Sequence, residues 1–96
     1  MKRSYADEVI RFKALADETR LMIVEMIAHD ELCACEILED CQITQSTLSY
    51  HMKLLTESGL VDVRRDGKRM LYQLNPEIWK AVKQCCEMIL SDESEQ

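Results

Sequence analysis

The residues of this 96-residue chain with the most chemistry to offer are its five cysteines, at positions 33, 35, 41, 85 and 86. A thiolate is both a nucleophile and a ligand for soft, thiophilic ions, and each cysteine must lose its proton to act as either. Cys33 and Cys35 form a Cys-x-Cys pair within Glu31-Leu32-Cys33-Ala34-Cys35-Glu36. On one ideal helix, side chains two residues apart point about 200° from each other. Both sulfurs therefore reach a single atom only if the first helical turn distorts or Cys33 lies just outside it, near a helix N-terminus whose dipole assists deprotonation. Cys41 reads as a small buried hydrophobe. Cys85 and Cys86 point about 100° apart on a helix, so one can lie in an interface while the other is exposed.

The elements that position these residues follow from periodicity and caps. Val9, Ile10, Phe12, Leu15 and Ala16 recur as one face of a first helix over residues 5–16. Asp17 caps a second helix, in which Leu21, Ile23, Val24, Met26 and Ile27 crowd most of the surface and which ends at His29-Asp30. Residues 31–41 read as a short helix with Ile37 and Leu38 inward, and Cys41-Gln42-Ile43 connects it to Thr44, an N-cap. A longer helix over residues 45–58 buries Leu48, Met52 and Leu55 and stops at Gly59. Two helices so joined are a helix-turn-helix. Residues 60–65 and 69–74 then alternate as strands around Asp66-Gly67, a hairpin signal. Asn75 caps a last helix with Pro76 at its first position, carrying Ile78, Trp79, Val82, Cys85, Cys86, Met88 and Ile89. The expected fold is mainly α with a β-hairpin wing, one domain over residues 1–90, followed by a disordered acidic tail over 91–96. A chain this short buries a modest core and gains from dimerising, and Trp79 reads as core or dimer packing.

The net charge of −6 argues against nucleic acid until it is divided. Residues 1–41 carry five basic and ten acidic groups, residues 76–96 two and five, but residues 42–75 carry five basic and three acidic. That positive segment contains the helix-turn-helix and the hairpin, so it is the DNA-facing one. A recognition helix enters the major groove N-terminus first, which selects Gln45, Ser46, Thr47, Ser49, Tyr50 and Lys53, with His51 late in the helix and able to bond a phosphate or a neighbouring carbonyl. Gln45 suits bidentate pairing with adenine, and the Thr47 methyl suits a thymine methyl. Arg64, Arg65, Lys68 and Arg69 crowd one tight turn, a shape suited to the backbone or a narrow minor groove.

The stretches Leu15-Ala16-Asp17-Glu18-Thr19-Arg20-Leu21, Glu31-Leu32-Cys33-Ala34-Cys35-Glu36-Ile37, Ser46-Thr47-Leu48-Ser49-Tyr50-His51-Met52-Lys53-Leu54-Leu55 and Ser58-Gly59-Leu60-Val61 resemble the ArsR/SmtB family of winged-helix metalloregulators over about residues 5 to 90. The resemblance implies a homodimer formed by the first and last helices, bound to an inverted-repeat operator of a resistance operon. It implies no cofactor for DNA binding. Cys33-x-Cys35 looks like the site of the arsenic-responsive branch, with trivalent arsenic or antimony, or an organoarsenical, as inducer. Some arsenic sensors have a third cysteine three residues after the second; here that position is Leu38. A third thiolate would come from Cys41, from Cys85 or Cys86 across a dimer, or from a small thiol in solution, whereas a monomethylated arsenical needs only two. The last helix contains no His, which departs from the family's zinc sites and leaves cadmium or lead as the other metals.

A redox or persulfide sensor of the same fold is the competing reading, in which paired thiols oxidise. An enzyme is disfavoured, because the chain offers no phosphate-cradling glycine loop, no parallel-sheet scaffold and no His placed to activate a nucleophile. No apolar run approaches the roughly 20 residues of a membrane span, and the first residues lack the apolar core of a signal peptide. A cytoplasmic location with reduced thiols is expected, since an odd cysteine count at these spacings fits no disulfide framework.

Overall fold

A computed structural model describes residues 4–91 and consists of five helices and three strands in the order α1 (Ala6–Leu15), α2 (Glu18–His29), β1 (Leu32–Cys33), α3 (Ala34–Asp40), α4 (Gln45–Glu57), β2 (Val61–Asp66), β3 (Arg69–Leu74) and α5 (Pro76–Leu90). This is the winged helix-turn-helix expected from periodicity, with helix boundaries set by the anticipated caps. Asp17 accepts from the Arg20 amide at 3.0 Å, Thr44 from the Thr47 amide at 3.1 Å and Asn75 from the Ile78 amide at 3.0 Å, so each satisfies an amide that a helix N-terminus leaves orphaned. Helix α4 stops where Gly59 takes φ +87°, a left-handed conformation that a Cβ disfavours.

The core lies where α2, α3 and α4 converge on the sheet. Ile23 and Ile27 of α2, Ile37 of α3, Leu48, Met52 and Leu55 of α4, and Leu60 and Val61 at the start of the wing form its centre. Helix α5 is tied to that centre through one carbonyl, since Leu60 O accepts from both the Asn75 amide and the Trp79 indole N–H, each at 3.0 Å. Trp79 thus packs partly buried against the core with its polar tip satisfied.

Three expectations are corrected. Residues 31–41 are not one helix: Leu32 and Cys33 form a strand, antiparallel to β3 with Leu32 opposite Tyr72 and Cys33 opposite Leu71, so the sheet has the order β1-β3-β2. The wing turn is centred one residue later than Asp66-Gly67, because Asp66 pairs with Arg69 and the two-residue loop is Gly67-Lys68. Gly67 alone has positive φ there, +65°, the pattern of a II′ turn with glycine first. Leu21 of α2 lies on the surface, while Arg20 takes the buried position beside it. In the tail expected to be disordered, residues 92–96 lie outside the described residues and Ser91 is the C-cap of α5.

The apolar faces of α1 and α5 are not consumed by this core. Val9, Ile10 and Phe12 of α1 and Met88, Ile89 and Leu90 of α5 are all exposed in the isolated chain, which measures 53 × 23 × 21 Å. Among the described residues no helix is long and apolar enough to cross a membrane.

Thr44 is the single cap on which the start of α4 depends. Thr44→Ala is expected to cost about 1 kcal/mol of stability, whereas Thr44→Ser retains most of it, measured by urea unfolding at one fixed protein concentration.

Candidate functional site

The junction between β1 and α3 builds the thiol site. Cys33 ends the strand in extended geometry, φ −86° and ψ 163°, and is at the same time the N-cap of α3, with its own amide donating to the Glu36 carboxylate at 2.8 Å. Leaving the helix at this point removes the 200° divergence that an ideal helix would impose. The two sulfurs come to 2.7 Å of each other. Cys33 is buried and Cys35 exposed. The Cys35 thiol is pushed up, first by its hydrogen bond with Cys33, then by desolvation and by repulsion from a Cys33 thiolate. Two sulfurs in contact resist carrying two negative charges, and a thiophilic cation that replaces both protons removes that penalty.

The cysteines open into a cleft of about 280 Å³ whose other walls include Gln45 from the start of α4 and Lys68, Arg69 and Met70 from the wing. Thus the sulfurs, the N-terminus of the second helix of the helix-turn-helix and the wing tip share one concavity. Cys41 lies in the hydrophobic core, where burial pushes its thiol up, and Cys85 is buried in α5 while Cys86 faces outward. Among the described residues no three His, Cys, Asp or Glu side chains converge as a metal-binding set.

Of the residues selected for DNA, Gln45, Ser46, Thr47, Ser49, Tyr50 and Lys53 are exposed along α4, and Arg64, Arg65, Lys68 and Arg69 are exposed on the wing. Arg64 is already engaged: its guanidinium forms a bidentate pair with Glu31 at 2.8 and 2.9 Å, which holds the Glu31 carboxyl below its ordinary range. His51 is a correction. It is 8% exposed, and its Nδ1 lies 2.9 Å from the Arg20 guanidinium, whose Nε–H donates to Ala14 O at 2.6 Å. His51 therefore joins α1, α2 and α4 from inside, away from a phosphate. Neither tie was readable, because Arg20 is 31 residues from His51 and Glu31 is 33 from Arg64. The only local signal was that Arg20 stands beside the apolar run Leu21-Met22-Ile23-Val24 of α2.

A helix-turn-helix of α3 and α4 followed by a basic β-hairpin defines a winged helix-turn-helix DNA-binding regulator. Residues 17–63 match the bacterial regulatory protein arsR family. An arsenical resistance operon repressor of Staphylococcus xylosus is 41% identical over 86 residues, 90% of this chain and 83% of that protein. A cadmium resistance transcriptional regulatory protein of Listeria innocua is 44% identical over 62 residues, 64% of this chain and 52% of that protein. Among solved structures, the homodimeric winged helix-turn-helix domain of a possible ArsR-family regulator from Mycobacterium bovis superposes with a TM-score of 0.73 at 26% identity, covering 93% of this chain and 82% of that one. The chain belongs to the ArsR family and is a transcriptional regulator of the repressor type, not an enzyme.

Two outcomes separate the positions of Arg65 and His51. Arg65→Gln is expected to reduce the slope of log affinity for duplex DNA against log salt by about 1 per DNA-bound subunit with little change in melting temperature; His51→Ala is expected to lower the melting temperature and leave the slope unchanged. The Glu31–Arg64 pair is intact above the ordinary glutamate range and lost as pH falls through the depressed Glu31 value. In Arg64→Gln the Glu31 carboxyl accordingly titrates at higher pH, observable by NMR of the side-chain carboxyl carbon.

Proposed function

We propose that this protein represses a metalloid-resistance operon as a homodimer on an inverted-repeat operator, and that trivalent arsenic or antimony, taken up by the Cys33 and Cys35 thiolates, releases it. The observation that carries the reading is the shared cleft, which puts the two sulfurs against Gln45, Lys68 and Arg69. An ion chelated there acts on the groove-facing end of α4 and on the wing at once. The arsenical resistance operon repressor of Staphylococcus xylosus, 41% identical to this chain, supports the inducer class. The dimer is supported by the exposed apolar faces of α1 and α5 and by the homodimeric relative from Mycobacterium bovis.

Release requires that the ion bind the DNA-incompetent shape more tightly than the competent one; a 100-fold loss of DNA affinity corresponds to about 2.7 kcal/mol of coupling. The test is fluorescence anisotropy of a labelled duplex from upstream of this protein's own gene, with reduced protein, as arsenite is added. Anisotropy is expected to fall to the free-DNA value at near-stoichiometric arsenite. Cys33→Ser and Cys35→Ser should bind the duplex within about twofold of the parent while ignoring arsenite, since serine is itself a good N-cap at position 33. Release of either variant by arsenite, or failure of either to bind DNA, overturns the assignment.

The sulfur contact favours one second reading, a two-electron oxidation joining Cys33 to Cys35 in a thiol-based switch. Release by peroxide, reversed by dithiothreitol, with no response to arsenite identifies it. The cadmium relative makes cadmium the competing cation, and release by cadmium alone would move the assignment to that metal.

A further inference from the structure

Trivalent arsenic takes three ligands, and this chain presents two. Position 38 is Leu, Cys41 is enclosed in the core, and no third His, Cys, Asp or Glu joins Cys33 and Cys35 among the described residues. The cleft in front of the sulfurs is far larger than an ion needs: about 280 Å³, against about 30 Å³ for one water of liquid. Its outer wall is cationic. Lys68 and Arg69 line it, and neither side chain makes a hydrogen bond or ion pair with another described residue, although Arg69 lies in the field of Glu31 and Glu36. Among the described residues no carboxylate lines the cleft itself.

We propose that the cleft takes arsenic as a ternary complex, in which a low-molecular-weight thiol bearing a carboxylate supplies the third sulfur and Lys68 and Arg69 hold its carboxylate. The inference rests on the arsenic reading above. Arsenous acid condenses with the thiols of Cys33, Cys35 and the small molecule: three As–S bonds form, three As–O bonds break, and each thiol proton leaves with a hydroxyl as water. Arsenic stays trivalent, so the step needs no oxidant or reductant. In this arrangement the two wing cations are drawn toward the cleft, and their charge is partly spent on the bound carboxylate instead of on a phosphate. The co-ligand would thereby deepen the loss of DNA affinity without itself touching DNA.

The experiment measures arsenite affinity of the full chain without DNA, from the ultraviolet absorption of the arsenic–sulfur bonds, in 3-mercaptopropionate, 2-mercaptoethanol or cysteamine. Each is measured for the parent and for the double variant Lys68→Gln, Arg69→Gln. Each thiol's own affinity for arsenite in solution cancels in the ratio of parent to variant. That ratio is expected to be about fivefold in mercaptopropionate, as two exposed charge pairs supply, near one in mercaptoethanol and below one in cysteamine. Equal ratios in all three thiols overturn the co-ligand. Absence of any arsenic–sulfur absorption from the parent in every thiol removes the arsenic reading itself, and the co-ligand with it.

Discussion

The architecture depends on a single backbone junction, Cys33. Its carbonyl side begins α3, its amide is held by Glu36, and its strand pairing with Leu71 fastens it to the middle strand of the sheet. A residue that is at once the end of a strand and the cap of a helix has little freedom of its own. Displacing it moves either the first helix of the helix-turn-helix or the strand that carries one side of the wing. Packed interiors pass such displacements on as discrete rearrangements, because they deform poorly by degrees.

Two long-range polar ties join elements far apart in the chain. The Arg20 guanidinium links Ala14 O to His51 and so locks α1, α2 and α4 around a buried charge whose hydrogen bonds are met. On the outside, Glu31 holds Arg64, which joins the residue before β1 to the far strand of the sheet. The first tie is rigid scaffold. The second is solvent-exposed and worth little to stability, but it fixes where one of the wing's positive charges points.

Most of the helical framework was legible because its signals are local. Asp17, Thr44, Asn75-Pro76 and Gly59 each act within a few residues, and each falls where its helix begins or ends. What escaped depends on partners distant in the chain. Strand β1 has two residues, too few to show a period, and exists because β3 lies beside it. His51 carries no mark that distinguishes a phosphate ligand from a partner of Arg20. The apolar stripe of α1 was visible as a stripe, yet apolar patterning states only that a surface avoids water, and Val9, Ile10 and Phe12 stay exposed among the described residues. For the thiol site, helical geometry limited the arrangement to a distorted turn or a cysteine outside the helix; the structure adopts the second.

The unequal exposure of the two sulfurs gives the site a direction in time. Cys35 faces solvent and Cys33 is enclosed, so any thiophilic species arriving from solution meets Cys35 first, without waiting for a local opening. The second bond is then an intramolecular event, favoured by the high effective concentration of a neighbour already in place. For the proposed arsenic complex, departure would need every arsenic–sulfur bond broken, the bond to Cys33 beneath that to Cys35. On the proposed reading, capture would therefore be limited by encounter and escape by sequential dissociation, so the chain would register an exposure quickly and retain it after the stimulus has gone.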